Sequence, residues 1–206
     1  MPKIHSPLAA LDNYLPENAF ESVEPYIVHH KIHLTITRER VSILGNYKKS
    51  TNKNHAITVN GNLNKYSFLI TLLHELGHLL AFEKFGNKII AHGTEWKNEY
   101  GNILADFIGK NIFPRDIEKE LIKTLNNPGA TSCAETSLLR VLKKYDTPVP
   151  GVFLLEDLPE GSVFRVKNGK TYKKGKKLRK RFLCQEIATS RMYLFSPVAE
   201  VELLNK

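Results

Sequence analysis

The chain has 206 residues, of which 42% are hydrophobic, and its formal net charge is +9. This composition is sufficient for a folded core and excludes a chain that is disordered throughout. The longest apolar-rich run, residues 66–73, is too short to cross a bilayer, and the N-terminus lacks the apolar stretch of a secretory signal. We therefore expect a cytoplasmic protein without membrane contact, in which Cys133 and Cys184 are reduced thiols.

The first third of the chain predicts short helices followed by strands. Residues 1–30 have apolar residues at helical spacing, interrupted by Pro7, Pro16 and Pro25. From residue 32 apolar and polar residues alternate, which indicates half-buried strands. The predicted strands are residues 32–36, 41–45 and 55–59, with a polar loop at 48–54.

The strongest helical pattern covers residues 64–85. Asn64 or Ser67 can cap its N-terminus, and Gly86 is placed to end it in a left-handed conformation. Because apolar residues surround this helix, we expect it to be buried. The hydroxyl of Thr94 can cap the next helix. Two further helices are predicted, one from Pro114 to residue 126 and one over residues 135–144.

Beyond residue 150 the pattern returns to short strands separated by glycines. This part is also basic, because residues 165–181 contain ten lysines and arginines and no acidic residue. The predicted strands are residues 152–155, 162–166, 178–184, 192–195 and 198–203. The pattern as a whole predicts an α+β fold with a first domain at 1–130, a connector at 131–150 and a basic β-rich subdomain at 151–206.

His74, Glu75 and His78 form the pattern H-E-x-x-H on the predicted helix 64–85. Residues four apart share one helix face, so the two imidazoles can bind one ion at the roughly 2.0–2.1 Å that zinc requires. Glu75 can reach a water on the metal without being a ligand itself. Two imidazoles and a carboxylate on a leucine-rich helix are costly to bury without a strong partner, which a metal ion provides.

A catalytic zinc site has three protein ligands and one open position, so a third ligand is needed. His92 is the first candidate, because the loop after the helix can fold back and bring it to the ion. Glu99, twenty-one residues after His78, is the alternative. The extended pattern H-E-x-x-H-x-x-G-x-x-H is absent, which excludes that class of metallopeptidase.

These residues resemble the SprT-like metalloproteases, a family that includes the Spartan proteases acting on DNA–protein crosslinks. The resemblance covers about residues 30–110 and joins the run 71–78 to a downstream His92-Gly93-Thr94-Glu95-Trp96. It implies a zincin-like fold with one zinc ion bound by His74, His78 and His92, and Glu75 as the general base. Many family members end in a zinc ribbon with paired cysteines. Here only Cys184 is present, so we expect a degenerate ribbon without a second zinc, with Cys184 in the core.

The predicted reaction is hydrolysis of a peptide bond by a metal-activated water. Glu75 accepts the proton of this water and passes it to the leaving amine. Tyr100 is a candidate donor to the oxyanion, although its spacing from Trp96 favours packing between the two rings. Residues 56–59 are the expected edge strand against which an extended peptide substrate pairs.

The basic segment 167–181 is predicted to be a hairpin or loop, because Gly169, Tyr172 and Gly175 lie among its cations. It can bind the phosphates of a nucleic acid, or it can be a solvated hairpin that keeps the protein soluble. Both interpretations stay open. The candidate nucleic-acid-binding residues are Lys170, Lys173, Lys174, Lys176, Lys177, Arg179, Lys180 and Arg181.

The remaining histidines are not assigned a second metal. His29, His30 and His33 lie close in sequence, but strand alternation places His33 towards solvent and no cysteine or carboxylate accompanies it at ligand spacing. His55 is expected at the surface, with a place along the cleft as the alternative.

Two other functions compete with an SprT-like endopeptidase. One is a peptidase that cleaves phage or stress-response repressors, which shares a His-Glu-Leu-Gly-His helix but uses a different third ligand. The other is a non-catalytic module that binds nucleic acid or peptide and in which zinc is structural. A metal without His92 among its ligands would favour the repressor-cleaving peptidase. A protein ligand at the fourth coordination position would favour the non-catalytic module.

Overall fold

A computed structural model of the chain describes residues 8–40, 43–49, 55–125 and 136–205. It contains both helices and sheets, which confirms the predicted α+β class. The chain divides into two compact units, Met1–Asp146 and Thr147–Lys206. Among the described residues, no helix is long and apolar enough to span a membrane.

The first unit contains a short sheet and a set of packed helices. A 3₁₀ helix at Leu8–Tyr14 precedes them. The strands are β1 (Ile32–Thr37), β2 (Gly45–Lys49) and β3 (His55–Asn60). The helices are α1 (Phe20–His29), α2 (Lys65–Phe85), α3 (Thr94–Phe107), α4 (Arg115–Thr124) and α5 (Thr136–Leu142).

The order of the sheet is β1-β3-β2, with β1 parallel and β2 antiparallel to β3. The prediction that residues 56–59 form the open edge is therefore wrong, because β3 has a partner on both sides. The edge next to α2 is β2. The predicted strand at 41–45 is also misplaced, since β2 begins at Gly45 and continues into the predicted loop; residues 41–42 and 50–54 lie outside the described residues. Its sequence, Gly-Asn-Tyr-Lys-Lys, is polar because an edge strand tolerates lysines and needs no apolar alternation.

Helix α2 has the predicted ends. The Asn64 side chain accepts a hydrogen bond from the Ser67 backbone N–H at 2.9 Å, and Gly86 follows the helix with a φ of 72°. Its residues are buried on nearly all sides, which confirms that it is the central helix of the core. The Asn64 amide also donates to the Leu142 carbonyl at 3.1 Å and to Asp146 Oδ1 at 2.5 Å.

Two predictions about the helices differ from the structure. Gly93, not Thr94, occupies the N-cap of α3, and no side chain caps that position. Helix α5 was predicted within a connector, yet Leu138 and Leu142 are buried in the core of the first unit. Apolar residues one turn apart bury one face of α5, so residues 136–146 belong to the first unit.

The second unit is a six-stranded antiparallel sheet of order β4-β9-β5-β6-β7-β8. Phe164, Tyr172 and Val201 form its core together with Cys184, as predicted for that cysteine. Cys133 lies outside the described residues. The strands are β4 (Val152–Leu154), β5 (Val163–Arg165), β6 (Thr171–Leu178), β7 (Arg181–Glu186), β8 (Met192–Phe195) and β9 (Glu200–Asn205).

The predicted strand at 178–184 is wrong, because the chain reverses inside it. Leu178 ends β6, Arg179 and Lys180 form the turn, and Arg181 begins β7. The prediction followed the absence of a turn glycine, but Arg179 adopts the positive φ of 41° that a tight turn requires. The basic segment is therefore a hairpin and not a helix, as predicted. The likeness of this unit to a zinc ribbon stays a prediction.

Candidate metal centre and active-site cleft

Three histidines of the first unit converge at the middle of α2. His74 and His78 are one turn apart on the helix, and His92 comes from the loop that follows it. The Nε2 atom of His92 lies 3.2 Å from His74 Nε2 and 2.9 Å from His78 Nε2. One ring nitrogen from each residue lies within 4.8 Å of the other two, an arrangement that can hold a metal ion.

The distances between the three ring nitrogens fit a shared small cation better than they fit hydrogen bonds between the rings. A neutral ring nitrogen carries either one proton or one lone pair, so His92 Nε2 can satisfy only one of its two neighbours. A cation satisfies all three nitrogens at once. Bonds of about 2.0–2.1 Å in tetrahedral geometry separate ligand nitrogens by roughly 3.3 Å, and the observed 2.9 and 3.2 Å are close to that separation.

The environment keeps these imidazoles neutral, which is the form that binds a metal. Burial lowers the pKa of His74 to about 3, with His78 and His92 adding to the effect. Burial and His92 lower the pKa of His78 to about 4, and burial lowers the pKa of His92. The indole of Trp96 lies beneath all three rings, with centroid distances of 4.6, 5.2 and 4.7 Å, and excludes water from that side.

Helix α3 positions this indole because α2 has a glycine at the crossing. A Cβ atom on Gly77 would lie 2.9 Å from Tyr100 Cβ and 3.2 Å from Trp96 Nε1. The missing side chain of Gly77 therefore permits the close approach of α3. Tyr100 stacks on Trp96 at 4.9 Å and meets His74 edge-on at 5.4 Å. The predicted packing of Tyr100 is confirmed, and its role as an oxyanion donor stays a prediction.

The loop before α3 holds His92 in a left-handed conformation. Its φ is 60°, a region in which histidine occurs more often than most residues. The next N–H, that of Gly93, donates to the Ile90 carbonyl at 2.8 Å and closes the turn. A Cβ atom on Gly93 would lie 2.9 Å from that carbonyl, so glycine is needed there. Backbone strain at a ligand-bearing position is typical of functional loops.

Glu75 is buried between α2 and β2. Burial raises the pKa of Glu75 to about 7, opposed by a hydrogen bond from the Tyr47 backbone and by the charge of Arg40. Gly45 makes room for this carboxylate: a Cβ atom there would lie 2.8 Å from Glu75 Oε1 and 2.7 Å from Thr71 Cγ2. A carboxyl group with a pKa near neutrality suits proton transfer.

The edge of β2 that is not paired with β3 faces Glu75. The Asn60 N–H donates to the Leu44 carbonyl at 2.8 Å, so in the antiparallel alternation the backbone groups of Gly45, Tyr47 and Lys49 point away from β3. This direction agrees with the hydrogen bond from Tyr47 to Glu75. Among the described residues no further strand pairs with β2. A strand edge therefore lies beside a buried carboxylate.

Arg40 and Asn60 fix the start of β2, and sequence reasoning missed both. Arg40 Nε donates to Asn60 Oδ1 at 2.7 Å, and Arg40 Nη1 donates to Thr58 Oγ1 at 3.0 Å. The Asn60 amide donates to the carbonyls of Arg40 and Ile43 at 3.1 and 3.0 Å. No local pattern identifies these residues, because their contacts join segments about twenty positions apart.

Other predicted site residues lie elsewhere. Glu99 pairs with Lys84 at 2.7 Å and is not in the histidine group, so the alternative third ligand is wrong. His55 is buried, not on the surface: its Nδ1 is 2.8 Å from the Tyr47 hydroxyl and its Nε2 is 3.2 Å from Glu83 Oε1. His33 is exposed, as expected.

Seven of the eight candidate nucleic-acid residues are exposed, and Lys174 is buried. Lys174 is only 4% exposed and donates to the Leu158 carbonyl, so its assignment as a phosphate contact is wrong. The strand alternation turns it into the core beside Cys184. Lys170 pairs with Glu186 at 2.8 Å. The exposed members are Lys170, Lys173, Lys176, Lys177, Arg179, Lys180 and Arg181.

The metal-free protein is expected to lose stability as the pH falls. Because the pKa values of His74 and His78 are lowered from 6.5 to about 3 and 4, the unfolded chain binds more protons than the folded chain below pH 6.5. Between about pH 4.5 and 7 the raised pKa of Glu75 gives the folded chain one proton that the unfolded chain lacks, which cancels one of the two extra protons. The free energy of unfolding therefore falls by a net of about 1.4 kcal/mol per pH unit. Denaturant unfolding of chelator-treated protein between pH 7 and pH 4.5 measures this slope. A flat profile would contradict the neutral cluster.

No protein-family model, no curated protein and no solved structure matches the chain, so the geometry of the site carries the functional argument.

Proposed function

We propose that the chain is a zinc-dependent endopeptidase of the SprT-like type. One observation carries the proposal: three imidazole nitrogens converge next to a buried carboxylate, beneath a free strand edge. The metal ligands are His74, His78 and His92, and Glu75 is the general base. Action on DNA-associated proteins and a cytoplasmic location stay predictions.

The donor set supports zinc. Three neutral imidazoles without a carboxylate are typical of zinc sites, whereas magnesium and calcium prefer oxygen ligands. Within the described residues the group contains three ligands and no fourth, which supports a catalytic site with one open position over a structural one. Coordination by His92 also favours the SprT-like type over the repressor-cleaving peptidases, which use a different third ligand.

A zinc ion at this position supplies Lewis-acid polarisation of a carbonyl and lowers the pKa of water. The chain supplies the remaining parts. Glu75 takes the proton from the attacking water and returns it to the leaving amine, for which a pKa of about 7 is suited. The outward backbone groups of β2 can pair with an extended peptide, which holds the scissile bond across the cleft. Trp96 excludes water from the opposite side of the histidines.

The proposal is tested by measuring zinc content and peptide cleavage on the same sample. We expect close to one zinc per chain and cleavage of a denatured protein substrate. A chelator should abolish cleavage and added zinc should restore it. A protein that holds zinc but cleaves no substrate would favour the non-catalytic module, and a protein that binds no divalent metal would overturn the proposal.

Gly45→Ala is expected to lower the rate of cleavage while zinc stays bound. The new methyl group collides with Glu75 and Thr71, so the carboxylate moves. A displacement of about 1 Å in a catalytic group can cost about 10²-fold in rate. Asn46→Ala is the matched control, because this side chain points to the opposite face of β2. Equal rates for the two variants would show that the position of Glu75 does not matter.

A further inference from the structure

The second unit presents a mixed apolar and cationic surface around the β6–β7 turn and the neighbouring strand β8. We call it the hairpin face. Its apolar members come from the end of β6 and from β8, and its cations come from the turn. The members are Leu178, Arg179, Lys180, Arg181, Met192 and Leu194.

The aliphatic side chains of this face are exposed. Leu178, Met192 and Leu194 are 48%, 51% and 52% accessible, although each belongs to a strand. A cavity of about 390 Å³ lies between Leu178, Leu194 and the three cations. Apolar residues grouped on the end strand of a sheet promote unwanted pairing, so proteins normally keep such edges charged. A grouped apolar surface of this kind indicates a binding partner.

The backbone of β8 is also open. Strand β8 is the last strand of its sheet among the described residues. The Glu186 N–H donates to the Arg191 carbonyl at 2.8 Å, and the alternation then points the N–H and C=O groups of Met192 and Leu194 away from β7. These groups can accept an added strand.

The cations of the face lack acidic partners in the described part of the chain. Lys170 and Lys174 of the same segment are engaged elsewhere, whereas Arg179, Lys180 and Arg181 are exposed and form no ion pair there. Arg179 also holds a left-handed φ of 41°, where glycine would be less strained. A strained arginine at an exposed turn points to a use for its side chain.

We propose that the hairpin face binds an extended polypeptide segment that pairs with β8 as an added strand, with aliphatic residues at alternate positions and acidic residues at the end next to the β6–β7 turn. The acidic residues complement the three cations. The aliphatic residues share one face of the added strand and cover Met192 and Leu194. A single-stranded nucleic acid complements the cations but stacks its bases on aromatic rings, and the apolar members here are aliphatic. This proposal does not depend on the metal centre.

The test is fluorescence anisotropy on the full chain with a labelled ten-residue peptide in which Val alternates with Thr and three Glu residues follow at one end. We expect saturable, salt-sensitive binding, and at least about tenfold weaker binding when Lys replaces Glu in the peptide. Two N-methylated versions of the peptide are compared, one with methyl groups at the odd positions and one at the even positions, which we call the two registers. Only one set of N–H groups faces β8, so one version should lose binding and the other should keep it. Equal loss in both registers would overturn strand addition.

Two variants distinguish a loss of peptide binding from a loss of folding. Arg179→Gly should keep or raise thermal stability, because glycine adopts positive φ freely, and weaken peptide binding by at least about tenfold. Leu194→Thr should weaken binding while it keeps the strand, and Lys173→Ala, on the same strand as Leu178 but outside the face, should change neither. Binding of an oligonucleotide or of anionic vesicles without binding of the acidic peptide would overturn the proposal. Self-association that disappears in Leu194→Thr, without peptide binding, would overturn it in favour of a second copy.

Discussion

Glu75→Gln is expected to lower the rate of peptide hydrolysis by about 10²–10⁴-fold, the usual contribution of a general base, while the zinc content stays the same. The amide has the shape of the carboxylate, and its oxygen can still accept the hydrogen bond from the Tyr47 backbone. It cannot accept the proton of the attacking water. Since Glu75 is not a ligand, the three histidines keep their positions.

The measurement is a steady-state cleavage assay combined with metal analysis of the purified variant. Glu83→Gln is the matched control, because it makes the same chemical change on the same helix two turns later. Glu83 pairs with His30 and His55 at 2.8 and 3.2 Å, so its loss affects stability and leaves the chemistry intact. If Glu75→Gln kept more than about a tenth of the wild-type rate, Glu75 would not be the base.

His92→Ala is expected to lower zinc affinity by more than about 100-fold, because even the loss of an outer hydrogen-bond partner costs 10–100-fold. Metal that binds only the folded chain adds about 4.1 kcal/mol of stability at a concentration of 1,000 Kd. A hundredfold loss of affinity reduces this gain to about 1.4 kcal/mol at the same zinc concentration. Cleavage should be lost together with the metal.

Zinc titration followed by thermal unfolding with and without zinc measures both effects. Glu99→Ala is the control, since Glu99 contacts Lys84 and lies outside the histidine group. It should bind zinc like the wild type. The reverse result, with zinc lost in Glu99→Ala and kept in His92→Ala, would move the third ligand to α3 and contradict the geometry of the cluster.

Local patterns were sufficient to predict α2 and the two histidines that it contributes to the group. The i, i+4 spacing of His74 and His78, the Asn64 cap and the Gly86 end are all encoded within one helix. The pairing of the strands was not predictable in this way. That β2 and not β3 is the edge depends on long-range partners, and the sequence of β2 has no apolar alternation.

The basic segment shows the same limit. Its charge was evident from composition, but composition does not show which side of a strand a lysine occupies. The turn at Arg179 and Lys180 and the bulge at Gly175, where a Cβ atom would collide with the Leu183 carbonyl, set that direction. They turn Lys174 inwards and leave the cations of the turn outside.

The hydrogen bonds of the Asn64 amide have a practical consequence for producing a minimal fragment that retains the histidine group. A fragment that stops at residue 130 removes Leu142 and Asp146, both partners of the residue that caps α2. It also exposes the core surface that Leu138 and Leu142 cover. A truncation that retains activity should therefore extend through Asp146, about sixteen residues beyond the end that the sequence pattern indicates.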